Sequence, residues 1–228
     1  MPQIERALLR LHVEAVWGIQ LPPIEQNDIE VLSKGIQPTW KLLVAEVANE
    51  RIHIWRADVI DRERKGLLMQ ANGTLALPST QTPAAGINRE VALHLATQPV
   101  ADVARAEQIA RPLTFRDQAL LEAFQGDLGE TCLNAENRPL IGVVIDGRLV
   151  ILAHSSRRTH EACELGVDTV PEARRRGYAL AVTILWARMV LQEGLVPLYS
   201  ALAGNRASLA LAASAGYRVF AHVVTVDG

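Results

Sequence analysis

An α/β fold, with a mixed sheet flanked by helices, is predicted by three features of this 228-residue sequence. After about residue 111 the pattern reads helix, hairpin, strand, helix, strand, helix, strand, an order that places helices on both faces of a sheet. The hairpin rests on Asp146-Gly147 in "LIGVVIDGRLVILAHSS", a dipeptide that tolerates the positive φ angles of a tight two-residue turn. The third feature is the segment from Arg176 to Glu193. It is apolar on nearly every side (Leu180, Val182, Ile184, Leu185, Trp186, Met189), as a helix embedded against a sheet must be.

The remaining elements follow in chain order. "TWKLLVAEVANERIHIWRADVID" alternates apolar residues at Leu42, Val44, Ile52, Ile54 and Val59, which predicts two strands turning at "ANER". Between Leu77 and Arg111, Pro78, Pro83, Gly86 and Pro99 interrupt short helical patches. This stretch is expected to be a connector, dividing a smaller N-terminal α/β unit of unknown role, 1–105, from a larger domain, 106–228. In "LTFRDQALLEAF", Thr114 is placed to cap a helix and Asp117 to reach back to it, with Leu120, Leu121 and Phe124 as the apolar face. "EACELGVDTV" reads as a strand, Gly194 as the stop of the embedded helix, "VPLYSAL" as a strand, Asn205 to Ala215 as a capped helix ended by Gly216, and "YRVFAHVVTV" as the last strand.

Composition narrows the function classes. A formal net charge of -2 supplies no global field for nucleic acid or an anionic membrane. The cysteines, Cys132 and Cys163, form neither a disulfide framework nor a metal-ligand spacing, and the six histidines have no spaced partners. No apolar run approaches the roughly 20 residues that span a bilayer, and the N-terminus does not read as a signal peptide. A cytoplasmic protein with no metal, nucleic-acid or membrane partner is expected.

Against that balanced background, "VPEARRRGYA" at 170–179 holds the one run of three like charges in the chain. A strand ends, Pro171 breaks the ladder, Arg174, Arg175 and Arg176 supply fixed cations, and Gly177 and Ala179 keep the start of the next helix uncrowded. Free N–H groups and the positive end of the helix dipole make such a turn a phosphate cradle. The rival reading is an exposed basic turn without a partner. It accounts less well for glycine, proline, strand and embedded helix falling together. The turn lacks the Gly-Lys-Ser/Thr ending of nucleotide hydrolases and the three glycines of the dinucleotide fingerprint.

The stretch resembles motif A of the GNAT N-acetyltransferase superfamily, Gln/Arg-x-x-Gly-x-Gly/Ala, filled by Arg174, Gly177 and Ala179. Farther on, "GNRASLALAASAGYRVF" is similar to the family's next block, with Asn205 opening a helix and Gly216-Tyr217 closing it. The resemblance covers about residues 111–228. It implies a GNAT-like, mostly antiparallel sheet, acetyl-CoA as co-substrate and acetyl transfer to a primary amine of a small molecule or peptide. By the same resemblance the backbone of Arg174, Arg175, Arg176, Gly177, Tyr178 and Ala179 cradles the coenzyme pyrophosphate. Val167, Asp168 and Thr169 bond the pantetheine arm, and Asn205, with Ser208 nearby, contacts the coenzyme. The N-terminal unit would cover the acceptor side or mediate dimerisation.

The sequence departs from the family at two places. Ala212 stands where a tyrosine often protonates the departing thiolate, and Ser200 where some members carry a glutamate base. Amine attack still requires a base. Strict alternation puts Glu164, Gly166 and Asp168 on one strand face, with the glycine leaving space between two acids, so Glu164 and Asp168 are the candidate bases. Tyr178 and Tyr199 are the nearest candidate acids, each also readable as packing. His154 and His160 read as exposed residues flanking a turn at "SSRRT", Arg157 and Arg158 as a substrate rim or solvated turn, and Cys163 as a core residue. The missing tyrosine keeps open a second class, a non-catalytic acyl-CoA sensor or partner-binding module. Nucleic-acid binding through the arginines is the third reading.

Overall fold

A computed structural model of the chain describes residues 2–96, 103–125 and 134–227. Among them are ten strands and six helices, and five of the seven strand pairings with an assigned register are antiparallel. The fold is therefore mixed α/β with a mostly antiparallel arrangement. Two compact units share the chain: residues 1–94, 200–209 and 219–228 form one, and 95–199 with 210–218 form the other. Among the described residues no helix is long and apolar enough to cross a membrane.

In the first unit, helix α1 (Pro2–Trp17) and the short strand β1 (Asp28–Glu30) precede the hairpin of β2 (Trp40–Val47) and β3 (Glu50–Trp55). The hairpin turns at Ala48 and Asn49, both with positive φ (49° and 68°), within the predicted "ANER". Helix α2 (Asp61–Ala76) lays Ala71 and Leu75 on Leu42, Val44 and Trp55, joined by Val224 and Val226 of β10 (Tyr217–Asp227). Helix α1 packs edge-on through Trp17 to Trp40 and through His12 to Phe220. Strand order in this unit is β1-β3-β2-β10-β4.

Strand β4 (Ile87–Leu95) corrects the expected connector. Its middle, Val91 to Leu93, is buried, but Asn88, Arg89 and Glu90 obscure the alternation, and the prolines and glycine before it belong to the loop entering it.

The second unit contains helix α3 (Val103–Ile109), strand β5 (Arg111–Pro112), a 3-10 turn at Phe115–Asp117 and helix α4 (Gln118–Gln125). Thr114 and Asp117 form the predicted capping box: the Asp117 carboxylate accepts from the Thr114 N–H at 2.9 Å, and the Thr114 hydroxyl caps the turn. Arg111 adds two hydrogen bonds to that carboxylate, at 2.6 and 3.0 Å. Strands β6 (Ile141–Ile145) and β7 (Arg148–Arg158) turn at Asp146 (φ 49°) and Gly147 (φ 75°), as the dipeptide requires. Strand β8 (Ala162–Thr169) follows, then helix α5 (Tyr178–Gln192), strand β9 (Val196–Leu202) and helix α6 (Arg206–Ser214), of which residues 200–209, the end of β9 and the start of α6, belong to the first unit. Gly194 (φ 78°) and Gly216 (φ 92°) end the two helices. Strand order here is β9-β8-β7-β6-β5.

Two helices cover opposite faces of β7. The α4 side is a leucine cluster that includes Leu121, Leu149 and Leu152. On the α5 side, Trp186 donates from its indole N–H to the buried Ser155 hydroxyl at 3.3 Å. Every residue from Ala181 to Ala187 is buried, so the middle of α5 is embedded on all sides, at roughly 1.5–3 kcal/mol for each large apolar side chain.

The Arg111 hydrogen bonds, with those from Thr114, hold the Asp117 carboxyl down to about 2. Asp117→Asn is expected to lower unfolding free energy by about 1–2 kcal/mol at neutral pH. Because the folded value is depressed, the deficit is complete above the unfolded carboxyl value of about 4. It closes as pH falls toward the folded value, which urea unfolding of both proteins across that range measures.

Candidate functional site

The turn from β8 into α5 carries the features that the sequence singled out. Val170 is extended, Pro171 to Ala173 make one 3-10 turn, and Arg174 is extended again. Arg175 then takes a left-handed φ of 62° and Gly177 one of 81°. Helix α5 starts at Tyr178, two residues later than Arg176, because Gly177 is its N-cap and accepts from the Ala181 N–H at 3.3 Å. No side chain caps this end, so the first-turn N–H groups, which cannot find intrahelical acceptors, face outward. Arg174, Arg175 and Arg176 are exposed, and among the described residues none of them has an ion-pair partner. Beside the turn, α3 and α5 enclose a groove of about 180 Å³ lined by Arg105, Ala106, Ile109, Arg176, Gly177 and Leu180 among others.

Strand β8 is held on one edge and released on the other. It pairs with β7 along its length, from Ile151↔Thr169 to Arg158↔Cys163. With β9 it pairs in parallel only at Ala162↔Val196, Cys163↔Pro197 and Glu164↔Leu198. From Leu165 to Thr169, among the described residues, it has no ladder partner on that edge. Peptide groups there are available to an extended ligand.

The register places Glu164, Gly166 and Asp168 on one face of β8, as alternation predicts. The single-residue bulge lies on β7, at Ser156 opposite the Glu164/Leu165 step, and leaves the parity of β8 intact. The expected space between the two acids is nevertheless filled. His154, directly opposite Gly166, lays its imidazole over the glycine, and a Cβ there would stand 2.6 Å from its Nε2. That nitrogen lies 3.3 Å from Asp168 Oδ2. The hydrogen bond from His154 holds the Asp168 carboxyl below the ordinary carboxylate value. Glu164 is in a different setting: its side chain is 4% exposed, with Arg157 Nη1 at 3.4 Å, whereas that of Asp168 is 57% exposed.

Several other expectations need correction. "SSRR" is not a turn, since β7 runs through Arg158, and His154 is a strand residue, mostly buried. His160 is exposed, 3.6 Å from Glu161. Arg157 pairs with Glu164, while Arg158 pairs with Glu193 at 2.6 Å and donates to the Arg138 carbonyl at 2.9 Å, so neither belongs to a free basic rim. Cys163 is buried, and burial pushes its thiol up, as fits a packing residue; Cys132 lies outside the described residues. Tyr199 is buried with its ring against Tyr217, centroids 5.4 Å apart. Tyr178 is half-buried in the first turn of α5.

The second block lies at the start of α6, with Asn205 and Ser208 in the first unit. Asn205 Oδ1 accepts from the Ser208 N–H at 3.1 Å, a side-chain cap that leaves the Asn205 amide nitrogen as a donor. Asn205 also lines a cleft of about 560 Å³ with Ser79, Gln81, Thr82, Gly86 and Arg89. Gly204 permits its narrow side, where a Cβ would stand 3.3 Å from the Ser79 carbonyl. Sequence reasoning missed this cleft together with β4, although the run of small polar residues from Ser79 to Thr82 was a signal for a loop able to border one. Ala212 is fully buried.

The family model for GNAT acetyltransferases matches residues 115–223. Among solved structures the chain is similar to a GNAT-family protein from Novosphingobium aromaticivorans (24% identity, 66% of this chain and 71% of that one, TM-score 0.49). It is also similar to a GNAT-family acetyltransferase from Colwellia psychrerythraea (16%, 77% and 75%, 0.48) and to an aminoglycoside N-acetyltransferase in complex with CoA (18%, 49% and 92%, 0.40). No curated protein matches it. With motif A on the β8–α5 turn and the family match running from the 3-10 turn before α4 into β10, the C-terminal half of the chain is recognised as a GNAT acetyltransferase domain.

Proposed function

We propose that the protein binds acetyl-CoA and transfers the acetyl group to a primary amine of a small molecule or peptide by direct attack. The observation that carries this reading is the uncapped β8–α5 turn with three unpaired arginines, continuous with the strand edge that β9 leaves. The coenzyme pyrophosphate would take the N–H groups of Arg176, Gly177, Tyr178 and Ala179, with Arg174, Arg175 and Arg176 neutralising its charge. The pantetheine arm would extend along Val167, Asp168 and Thr169, and a strand N–H would polarise the thioester carbonyl.

Of the two candidate bases, burial and pairing with Arg157 favour a structural role for Glu164, and exposure favours Asp168 as the acid that meets the amine. The 1–105 segment is assigned to the acceptor side or to dimerisation, and the protein to the cytoplasm. The fully buried Ala212, where a tyrosine acid would stand, supports a second reading, an acyl-CoA sensor without turnover.

Calorimetry with coenzyme A and acetyl-transfer assays over an amine panel separate the readings. Binding with transfer supports the enzyme, tight binding without transfer supports the sensor, and the absence of both binding and transfer contradicts the proposal. Replacing Arg174, Arg175 and Arg176 by Gln is expected to weaken coenzyme A about 10- to 100-fold, the value of one or two charge-assisted hydrogen bonds. Gly177→Val forces a β-branched residue to φ 81°. It is expected to lower stability by about 1–2 kcal/mol and to weaken coenzyme A as well, read by thermal unfolding and calorimetry.

A further inference from the structure

We propose that His154 is a positioning residue for Asp168, fixing that carboxylate at the open face of β8 as the anchor for the cationic amine acceptor. The inference rests on the acyltransferase reading above and gives its acceptor site a named charge pair.

Three observations combine. The β7–β8 register sets His154 opposite a glycine, and only a residue without a Cβ lets the imidazole lie across β8: a methyl at 166 would meet Nε2 at 2.6 Å and Cε1 at 2.8 Å. Lying there, the ring reaches Asp168, two residues along the same face, with Nε2 3.3 Å from Oδ2. Its other nitrogen, Nδ1, is buried and has no hydrogen-bond partner among the described residues, so Asp168 is the ring's outlet. An Nε2–H donates to the carboxylate in both the Nε2–H tautomer and the imidazolium.

The consequence is a carboxylate occupied on one oxygen and open on the other. The His154 side chain is 19% exposed and that of Asp168 57%, so imidazole lies inside and carboxylate outside. The nearest charged pair on the same two strands, Glu164 with Arg157, is already matched and leaves Asp168 as the uncommitted anion of this face. An alkylammonium reaching β8 meets that oxygen beside Val167 and Thr169, whose peptide groups the proposed function assigns to the pantetheine arm. A carboxylate held in one rotamer there binds and orients the amine. The same acid free to rotate would do so less well.

The test compares His154→Ala, His154→Gln and Gly166→Ala with the wild type. It reads steady-state constants for acetyl-CoA and amine separately, and follows the Asp168 carboxyl by carbon NMR of the full chain. Expected for His154→Ala is a fall in kcat/KM for the amine of about 10- to 100-fold, with the acetyl-CoA KM unmoved and Asp168 titrating at higher pH. Gly166→Ala, which displaces the imidazole, should behave alike, and His154→Gln, which retains a donor, should recover most of the loss. Should His154→Ala fail to fold, the contrast between Gly166→Ala and His154→Gln carries the comparison. Unchanged amine kinetics with an unmoved Asp168 titration overturn the role of His154 alone. Wild-type protein that binds acetyl-CoA and acetylates no amine overturns the proposed function as well.

Discussion

An α-helix cannot satisfy the N–H groups of its own first turn, and in α5 no side chain does so either. Those groups would relax if the helix could shift, but α5 is locked by buried residues along most of its length and by the Trp186 bond to Ser155. The strand leading into the turn is equally constrained, because β8 is laddered to β7 from end to end. Between two fixed ends the chain turns through Arg175 and Gly177 at positive φ. For a non-glycine residue this costs of order 1 kcal/mol and persists only where the surroundings impose it. The result is a rigid concentration of positive potential, formed by backbone dipoles and three guanidinium groups before any ligand arrives.

The same constraint organises the chemistry beside it. Because β8 leaves β9 after Glu164, the strand that delivers the chain to the turn also offers a free edge, and one element can serve both the phosphate and the extended parts of a coenzyme. On its face, two carboxylates four residues apart acquire different characters from their surroundings. Glu164 is drawn inside and neutralised by Arg157, whereas Asp168 stays at the surface with His154 behind it. Gly166 separates them by admitting the imidazole, a close approach of the kind that glycine in a strand often marks.

What the sequence disclosed follows from the range of the interactions involved. The Asp146-Gly147 turn, the Thr114–Asp117 box, the glycine stops and the turn from β8 into α5 are local, each written within a few residues, and each appears where expected. The N-terminal helices were not legible for a physical reason. In α1, charges at Glu5, Arg6 and Arg10 punctuate the apolar positions, and α2 buries little beyond Ala71, Thr74 and Leu75. Strand β4 was hidden by the polar residues at its start. The His154–Asp168 pair depends on a register between strands joined by an irregular turn and on a bulge at Ser156, so no count along the chain gives it. Gly166 was its one visible trace, read as empty space when it marked an occupant.

The central claim, that peptide N–H groups of the β8–α5 turn receive a coenzyme diphosphate, is tested most directly by amide NMR during titration with coenzyme A. The account predicts saturable shifts at Arg176, Gly177, Tyr178 and Ala179, accompanied by Val167 to Thr169 on the adjoining strand. Coenzyme A that binds while these amides stay unmoved, or that produces no saturable shift anywhere, would contradict it.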